Sequence, residues 1–244
     1  RPPRSTPKPS SAASDVYKRQ DLVLTPKDGK ATKEKWEVDG NRIKLMSMVV
    51  EGDGLRVENQ WLDGDDRITC TETSTIQFAG RSGQREIDWD IELVSPAGPL
   101  RMGDTKEGTF AIRLAPPLRL DGNLTHGTYL TSEGLRDNDA WGSRARWVAC
   151  SGLLEGGPVT VVIFDHPDNP NHPTWWHARP NGLFTANPFG RQAFEGMDGP
   201  TGAVMALDGV PLRMRYRVLI LDEEIDVAHI DKAWQEWSSE VKGT

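Results

Sequence analysis

The sequence predicts an all-β protein, a large antiparallel β-sandwich with one C-terminal amphipathic helix. Strand-like runs recur along the chain, and clusters of Gly and Asp separate them. One segment alone has helical periodicity. Short strands at this spacing favour a sandwich over a parallel α/β sheet, in which a helix would follow each strand.

Nine segments have a strand pattern, in which apolar and polar residues alternate or β-branched residues dominate. They are, in chain order, Arg42–Val50, Leu55–Leu62, Arg67–Phe78, Arg85–Val94, Thr109–Leu114, Ala145–Leu153, Val159–Phe164, Gly182–Ala186 and Leu212–Leu221. Turn-forming residues such as Gly52–Gly54 separate the first four, so these strands are expected to pair as antiparallel hairpins.

The predicted helix spans Asp226–Val241. Ile230, Trp234, Trp237 and Val241 lie on one stripe, at spacings of four, three and four residues. Asp226 can cap the first turn, because its carboxylate can accept from the free backbone N–H groups there. The helix is expected to pack its apolar stripe on one face of a sheet.

The chain of 244 residues contains no internal repeat and no clear linker between domains. Residues 1–20 stand apart, because they are rich in Pro, Ser and Arg and lack hydrophobic periodicity. Their end, DVYKRQ, would be encoded by the mosaic-end sequence of the transposase adapters used in sequencing libraries. We therefore expect residues 1–20 to be adapter-derived, with a natural disordered segment as the alternative. Residues 21–244 should then be a single β-sandwich domain, truncated at its N-terminus.

Composition narrows the classes of partner. The net charge is −7 and both signs are interspersed, which argues against nucleic acid. No apolar run approaches the roughly 20 residues that a membrane-spanning helix needs. The two cysteines, Cys70 and Cys150, lie in strand-like runs and could form a disulfide or stay as buried free thiols. Neither a cofactor nor a metal can be assigned from the sequence.

The most informative segment is the loop that follows the strand Val159–Phe164 and ends near Gly190. It contains three of the five histidines, His166, His172 and His177, together with Trp175, Trp176 and Arg179. Pro, Asn and Gly surround them. Titratable and aromatic groups on a loop held by rigid strands are typical of a binding or catalytic site.

Each of these residues also has a structural interpretation. Asp165 could cap the turn while His166 satisfies a backbone carbonyl, and the spacing of His172 and His177 fits no standard zinc motif. Considered together, the three histidines predict a shared site. Trp175 and Trp176 should point to opposite faces if the segment is extended, so that one packs in the core and the other faces the pocket.

Weaker candidates lie outside this segment or at its end. Asn187 is a candidate binding residue, and His126 is a minor candidate. His229 on the helix is expected to be solvated. Phe189 and Trp141 are expected in the core.

Charged residues upstream extend the predicted site. Glu107 precedes a strand and could pair with Lys106, but Gly108 would let it face a concave surface. Arg113 alternates with apolar residues and so faces the less apolar side of its strand. Arg144 and Arg146 share one strand face, where they could pair with nearby aspartates or bind an anionic or polyhydroxyl ligand.

Three segments give the chain a resemblance to a known family. They are Asp104–Leu118 (DTKEGTFAIRLAPPL), Arg144–Gly152 (RARWVACSG) and Phe164–Gly190, and together they resemble a bacterial family labelled methane oxygenase PmoA. The resemblance covers roughly residues 34 to 240. It implies a β-sandwich protein that is often exported to the periplasm or beyond and encoded near genes for sugar breakdown, with a cytoplasmic location as the alternative. Methane oxidation is not implied, because the oxidising subunits are integral membrane proteins.

Two functions follow from these residues. The first is a carbohydrate-active enzyme that performs acid–base chemistry on a sugar, with His166, His172, His177 and Glu107 as catalytic groups. Its expected substrate-binding residues are Arg179, Trp175, Trp176, Arg113, Arg144, Arg146 and Asn187. The alternative is a non-catalytic sandwich that binds a sugar or a metal. In both cases the expected partner is a small molecule, most simply a carbohydrate.

Overall fold

The computed structural model of the chain describes residues 22–24, 32–34, 42–96, 98, 100–122, 127–196, 205–206 and 210–240. The segment 1–20, His126 and Val241 lie outside these residues. The proposal of an adapter-derived extension and of a truncated domain therefore stays a prediction.

Strands dominate the described residues. Their bounds are β1 Leu22–Leu24, β2 Thr32–Glu34, β3 Arg42–Glu51, β4 Gly54–Leu62, β5 Ile68–Arg81, β6 Gln84–Val94, β7 Leu100–Met102, β8 Phe110–Arg113, β9 Thr128–Thr131, β10 Trp147–Leu154, β11 Gly157–Asp165, β12 Trp175–Trp176, β13 Leu183–Asn187, β14 Met205–Ala206 and β15 Leu212–Leu221. The helices are the short α1, Arg191–Glu195, and the longer α2, Val227–Ser238. Single 3-10 turns lie at Pro116–Leu118 and Asp137–Ala140.

The strands form three antiparallel sheets. The large sheet has eight strands in the order β3-β4-β5-β6-β15-β11-β10-β9. Its first four strands are consecutive hairpins, as predicted, and β15 then inserts between β6 and β11. A small sheet has the order β12-β13-β8, and a third has the order β14-β7-β1-β2. The predicted all-β sandwich is confirmed.

The main core lies between the large sheet and the small sheet. Ile91, Ile163 and Met214 project from the large sheet and pack with Phe110 and Trp176 of the small sheet. Alternation along each strand produces this face, because every second side chain points inward.

Both cysteines belong to this core as free thiols. Burial raises the pKa of Cys70 and of Cys150 to about 12. The free-thiol alternative is therefore the one that the structure supports.

Helix α2 covers the outer face of the large sheet. Its buried residues Ile230 and Trp237 pack against Trp147, Phe164 and Leu219, which point away from the main core. The predicted cap is confirmed, since the Asp226 carboxylate accepts from the backbone N–H groups of residues 228 and 229 at 3.0 and 3.2 Å. Within the described part of the chain, neither α-helix is long and apolar enough to cross a membrane.

A ladder of ion pairs crosses the same outer face between β6 and β15. Arg213, Arg215 and Arg217 each bond the acidic residue directly opposite in the register: Glu92, Asp90 and Asp88. The N···O distances are 2.7, 3.0 and 2.6 Å. This ladder fixes Arg215 beside the loop that leaves β11.

Candidate functional site

The loop after β11 is organised around one buried carboxylate. Asp165 is fully buried and accepts from His172 Nδ1 at 2.7 Å, from Asn169 Nδ2 at 2.7 Å and from the Thr174 N–H at 2.9 Å. Burial raises the pKa of Asp165, and the hydrogen bonds from His172, Asn169 and Thr174 act in the opposite direction. The carboxylate is thus supplied with donors that suit its ionised form.

His172 is oriented by this carboxylate and remains partly accessible. Its side chain is 17% exposed, and Nδ1 faces Asp165. An ionised carboxylate can only accept, so with Asp165 ionised and His172 neutral the imidazole proton lies on Nδ1 and the lone pair on Nε2. Among the described residues, no hydrogen-bond partner contacts Nε2. A fixed tautomer with one open nitrogen is the arrangement of a general base.

Helix α2 supplies one wall beside this imidazole. The Trp234 ring lies nearly parallel to His172, with centroids 6.2 Å apart, and its Nε1 donates to the Asp165 carbonyl at 3.1 Å. The Arg146 guanidinium lies over the Trp234 ring, 5.0 Å from its centroid, and pairs with Asp231 at 3.4 Å. Arg146 therefore supports the wall and is partly committed to Asp231.

His166 has a different environment. Its Nε2 lies 2.9 Å from Arg215 Nη1, its Nδ1 lies 3.1 Å from the Asp168 N–H, and its ring is edge-on to Trp237 at 5.0 Å. Burial, followed by the charge of Arg215, lowers the pKa of His166 to about 4. A buried imidazole that stays neutral and bonds a fixed arginine fits a structural role, contrary to the expected catalytic one.

His177 uses both ring nitrogens in hydrogen bonds. Nδ1 donates to the Lys106 carbonyl at 2.5 Å, and Nε2 accepts from Arg179 Nε at 2.6 Å. The ring is 1% exposed. With no open nitrogen, His177 positions Arg179 and is not placed to exchange a proton with a substrate.

An exposed aromatic group lies beside His177. Trp141 is 42% exposed, which corrects its expected place in the core, whereas Phe189 is fully buried as predicted. The Trp141 ring lies edge-on to His177 at 6.3 Å and to Phe194 at 5.2 Å. Phe194 belongs to α1, a helix that the sequence analysis did not predict.

The adjacent tryptophans point to opposite faces of β12, as predicted. Trp176 is in the core and donates to the Ala145 carbonyl at 2.9 Å. Trp175 donates to Glu195 at 2.9 Å and lies under the Arg144 guanidinium at 4.4 Å. Both rings are at most 2% exposed, which leaves no ring face open to a substrate and runs against their expected substrate-binding role.

Arg144 ties the loop to the small sheet. Its Nε donates to the Pro173 carbonyl at 2.9 Å and its Nη2 to the Asn171 carbonyl at 2.8 Å, while it covers Trp175. It therefore holds the two residues that flank His172.

The turn before β8 is packed tightly against the small sheet. Gly108 has a φ of +79°, and a Cβ there would lie 2.2 Å from the Thr185 methyl group, so only glycine fits. Asn187 donates to the Thr105 carbonyl at 2.6 Å and accepts from the Phe189 N–H, which fits a structural role. Glu107 is partly buried in this turn.

Arg113 is exposed and bonds Asn181 Oδ1 at 3.2 Å.

The hydrogen bonds of His172 and His177 separate the expected site into two clusters. One joins His172 to Asp165, and the other joins His177 and Arg179 to the turn that contains Glu107. The expectation that both clusters line one pocket stays a prediction. Among the described residues, no three His, Cys, Asp or Glu side chains are grouped so as to hold a metal ion.

Four residues that shape these clusters were not predicted in these roles from the sequence. They are Asp165 as the orienting carboxylate, Trp234 as a wall, Arg215 as the partner of His166, and Trp141 as an exposed ring. Asp165 had one available signal, its place directly after a buried strand and seven residues before His172. The other three are brought to the site by distant parts of the chain.

Comparison with known proteins places the chain in a family. No curated protein matches it in sequence. A solved structure of a polysaccharide lyase is similar at a TM-score of 0.40 and 10% identity, and the match covers 86% of this chain and 26% of the lyase. The model of a family of unknown function, DUF6807, matches residues 19–235. The expected membership of a PmoA-like family is therefore wrong, and the chain belongs to DUF6807.

Proposed function

We propose that this protein is a carbohydrate-active enzyme in which His172 transfers a proton at a sugar and Asp165 orients the imidazole. One observation carries the proposal. A partly exposed imidazole has Nδ1 bound to a fully buried carboxylate at 2.7 Å, while Nε2 has no partner among the described residues.

The chemistry follows from that arrangement. Nε2 takes a proton from a sugar carbon next to a carbonyl group, or from a hydroxyl, and the resulting imidazolium is stabilised by the Asp165 carboxylate. A proton delivered by solvent water to the opposite face of the carbon completes an epimerisation, and the imidazolium returns its own proton to solvent. Loss of a group from the neighbouring carbon completes an elimination instead. Imidazole suits both, because its free pKa is near neutral.

The surroundings support a sugar as the substrate. Arg179 presents a guanidinium group, which binds hydroxyl and carboxylate oxygens through several N–H donors. Trp141 is 42% exposed, and a flat indole surface packs well on the C–H face of a pyranose.

A non-catalytic sugar-binding module is the second candidate. The observation that favours it is the cluster around His177, where an exposed Trp141 lies beside a histidine whose ring nitrogens are both bonded. Such a surface binds a sugar without proton transfer. Saturable binding without turnover would be its signature.

The test is proton exchange with solvent. The full chain is incubated in D2O with a panel of aldoses, ketoses, uronates and methyl glycosides, and 1H NMR follows loss of C–H signals and product formation. We expect exchange or product with at least one class, reduced about a hundredfold or more in His172→Gln, which is the usual size of a general-base effect.

The matched control is His229→Gln, since His229 is a partly exposed histidine on α2 that pairs with Glu223. It should retain the wild-type rate. An unchanged rate in His172→Gln contradicts the catalytic proposal. Binding of a sugar without any exchange or product favours the non-catalytic module.

A further inference from the structure

Arg179 has an unusual environment for an arginine in this protein. Its Nε donates to a neutral imidazole, His177 Nε2, at 2.6 Å. By contrast, Arg213, Arg215 and Arg217 on β15 each face a carboxylate. No carboxylate among the described residues lies within salt-bridge distance of Arg179.

His177 holds this arginine in one orientation. Its Nδ1 proton is committed to the Lys106 carbonyl at 2.5 Å, so Nε2 must accept from Arg179. The Arg179 backbone is also fixed, because its N–H donates to the Leu183 carbonyl at 2.8 Å and its carbonyl accepts from Tyr129 at 3.1 Å. The Nη1 and Nη2 atoms have no hydrogen-bond partner among the described residues. A pre-oriented guanidinium with two free nitrogens matches the two oxygens of a carboxylate.

Aromatic rings border the same imidazole. Trp141 and Phe194 lie edge-on to His177 at 6.3 and 6.1 Å, and Trp141 is 42% exposed. Phe194 fits closely against Gly142 and Gly190, where a Cβ would lie 3.1 and 2.6 Å from its ring. The exposed indole and the guanidinium are thus both held by packing around His177.

We propose that Arg179, positioned by His177, binds the carboxylate of an acidic sugar whose ring packs on Trp141. We call the Arg179, His177 and Trp141 side chains the acid-sugar site. The inference rests on the proposed function for the choice of a sugar as ligand, and the anion preference rests on Arg179 itself. His177 is a positioning residue in this site.

The experiment measures binding of four sugars to the full chain by isothermal titration calorimetry. The probes are glucuronate and galacturonate, with glucose and galactose as their neutral counterparts. We expect the acidic sugars to bind at least about tenfold more tightly, the effect of a charge-assisted hydrogen-bonded pair. Arg179→Gln should remove this preference. Arg179→Lys should retain part of it, because lysine keeps the positive charge but lacks the paired N–H donors of the planar guanidinium.

Arg85→Gln is the control, since Arg85 is an exposed arginine on β6 that pairs with Asp222 at 2.8 Å and has no part in either cluster. It should retain the preference. Trp141→Ala should weaken the binding of acidic and neutral sugars by similar factors, because the rings of both kinds of sugar pack on the indole. His177→Gln should weaken the preference, and circular dichroism verifies that each variant is folded.

Equal affinity of acidic and neutral sugars for the wild type overturns the proposal, as does an unchanged preference in Arg179→Gln or, if that variant is unfolded, in Arg179→Lys. The outcomes of this binding test can be distinguished from those of the proton-exchange test of catalysis. A preference that depends on Arg179, together with turnover that is insensitive to His172→Gln, contradicts the proposed catalysis and supports the acid-sugar site. Turnover that depends on His172, without any preference for acids, contradicts the acid-sugar site alone.

Discussion

Replacement of Asp165 by alanine should lower the free energy of unfolding by about 3 kcal/mol or more, because each buried donor left without its acceptor costs about 1–3 kcal/mol. The fully buried carboxylate accepts from His172, Asn169 and the Thr174 N–H. Alanine leaves these donors without their acceptor and opens a small cavity. Urea unfolding followed by tryptophan fluorescence measures the change.

Asp168→Ala is the control, because this nearby carboxylate has a side chain that is 84% exposed. Its free energy of unfolding should change by no more than about 0.5 kcal/mol. Asp165→Asn should lie between the two, since the amide keeps one acceptor oxygen and places an NH2 group against existing donors. A loss below about 1 kcal/mol in Asp165→Ala would contradict the view that this carboxylate organises the loop.

Trp237→Ala should destabilise the protein by a similar amount, about 3–5 kcal/mol, as expected for removal of a large core side chain. Trp237 is 1% exposed and anchors α2 to the large sheet. Its ring contacts Phe164 at 5.9 Å and His166 at 5.0 Å, and lies under Arg217 at 5.6 Å. Thermal or urea unfolding monitored by circular dichroism gives the difference.

Trp141→Ala removes the same atoms from a surface position and serves as the reference. We expect a cost of about 1 kcal/mol or less there, because much of the ring is already in water. Equal costs for the two substitutions would show that α2 contributes little to stability. That result would also weaken the case for Trp234 as a fixed wall beside His172.

The strands of the large sheet could be predicted because their alternation is local. In β15 the residues Leu212, Met214, Tyr216 and Val218 point to the main core, and Arg213, Arg215 and Arg217 point outward. An alternation of apolar and polar residues with a period of two can be recognised without knowing which strands pair. The cap at Asp226 was likewise readable, since a capping side chain bonds the N–H groups two and three residues later.

The order of strands could not be predicted in the same way. β15 pairs with β6 and β11, although more than a hundred residues separate it from β6. That pairing depends on long-range packing and not on any local pattern. The short α1 was missed for a related reason. Its five residues are fixed by Asp104, which accepts from the N–H groups of residues 192 and 193 at 2.8 and 3.2 Å.

The assignment of the site to the loop after β11 stays a prediction, and the roles of its histidines were not separable in sequence. His166, His172 and His177 lie close together in the chain, yet each bonds a different partner: Arg215, Asp165 and Arg179. Two of these partners were visible within the loop and one comes from β15. Residue type alone gives the capacity for proton transfer, whereas an open nitrogen beside an orienting carboxylate is a property of the fold.

The central claim is that Asp165 fixes the tautomer of His172 and leaves Nε2 available. The most direct measurement is a long-range 1H–15N spectrum of the 15N-labelled protein, recorded at a pH at which the His172 ring is neutral, with His172→Gln used to assign its signals. We predict a protonated Nδ1 and an unprotonated Nε2. A neutral ring with its proton on Nε2 would contradict the account, because that nitrogen could not then accept a proton from a substrate.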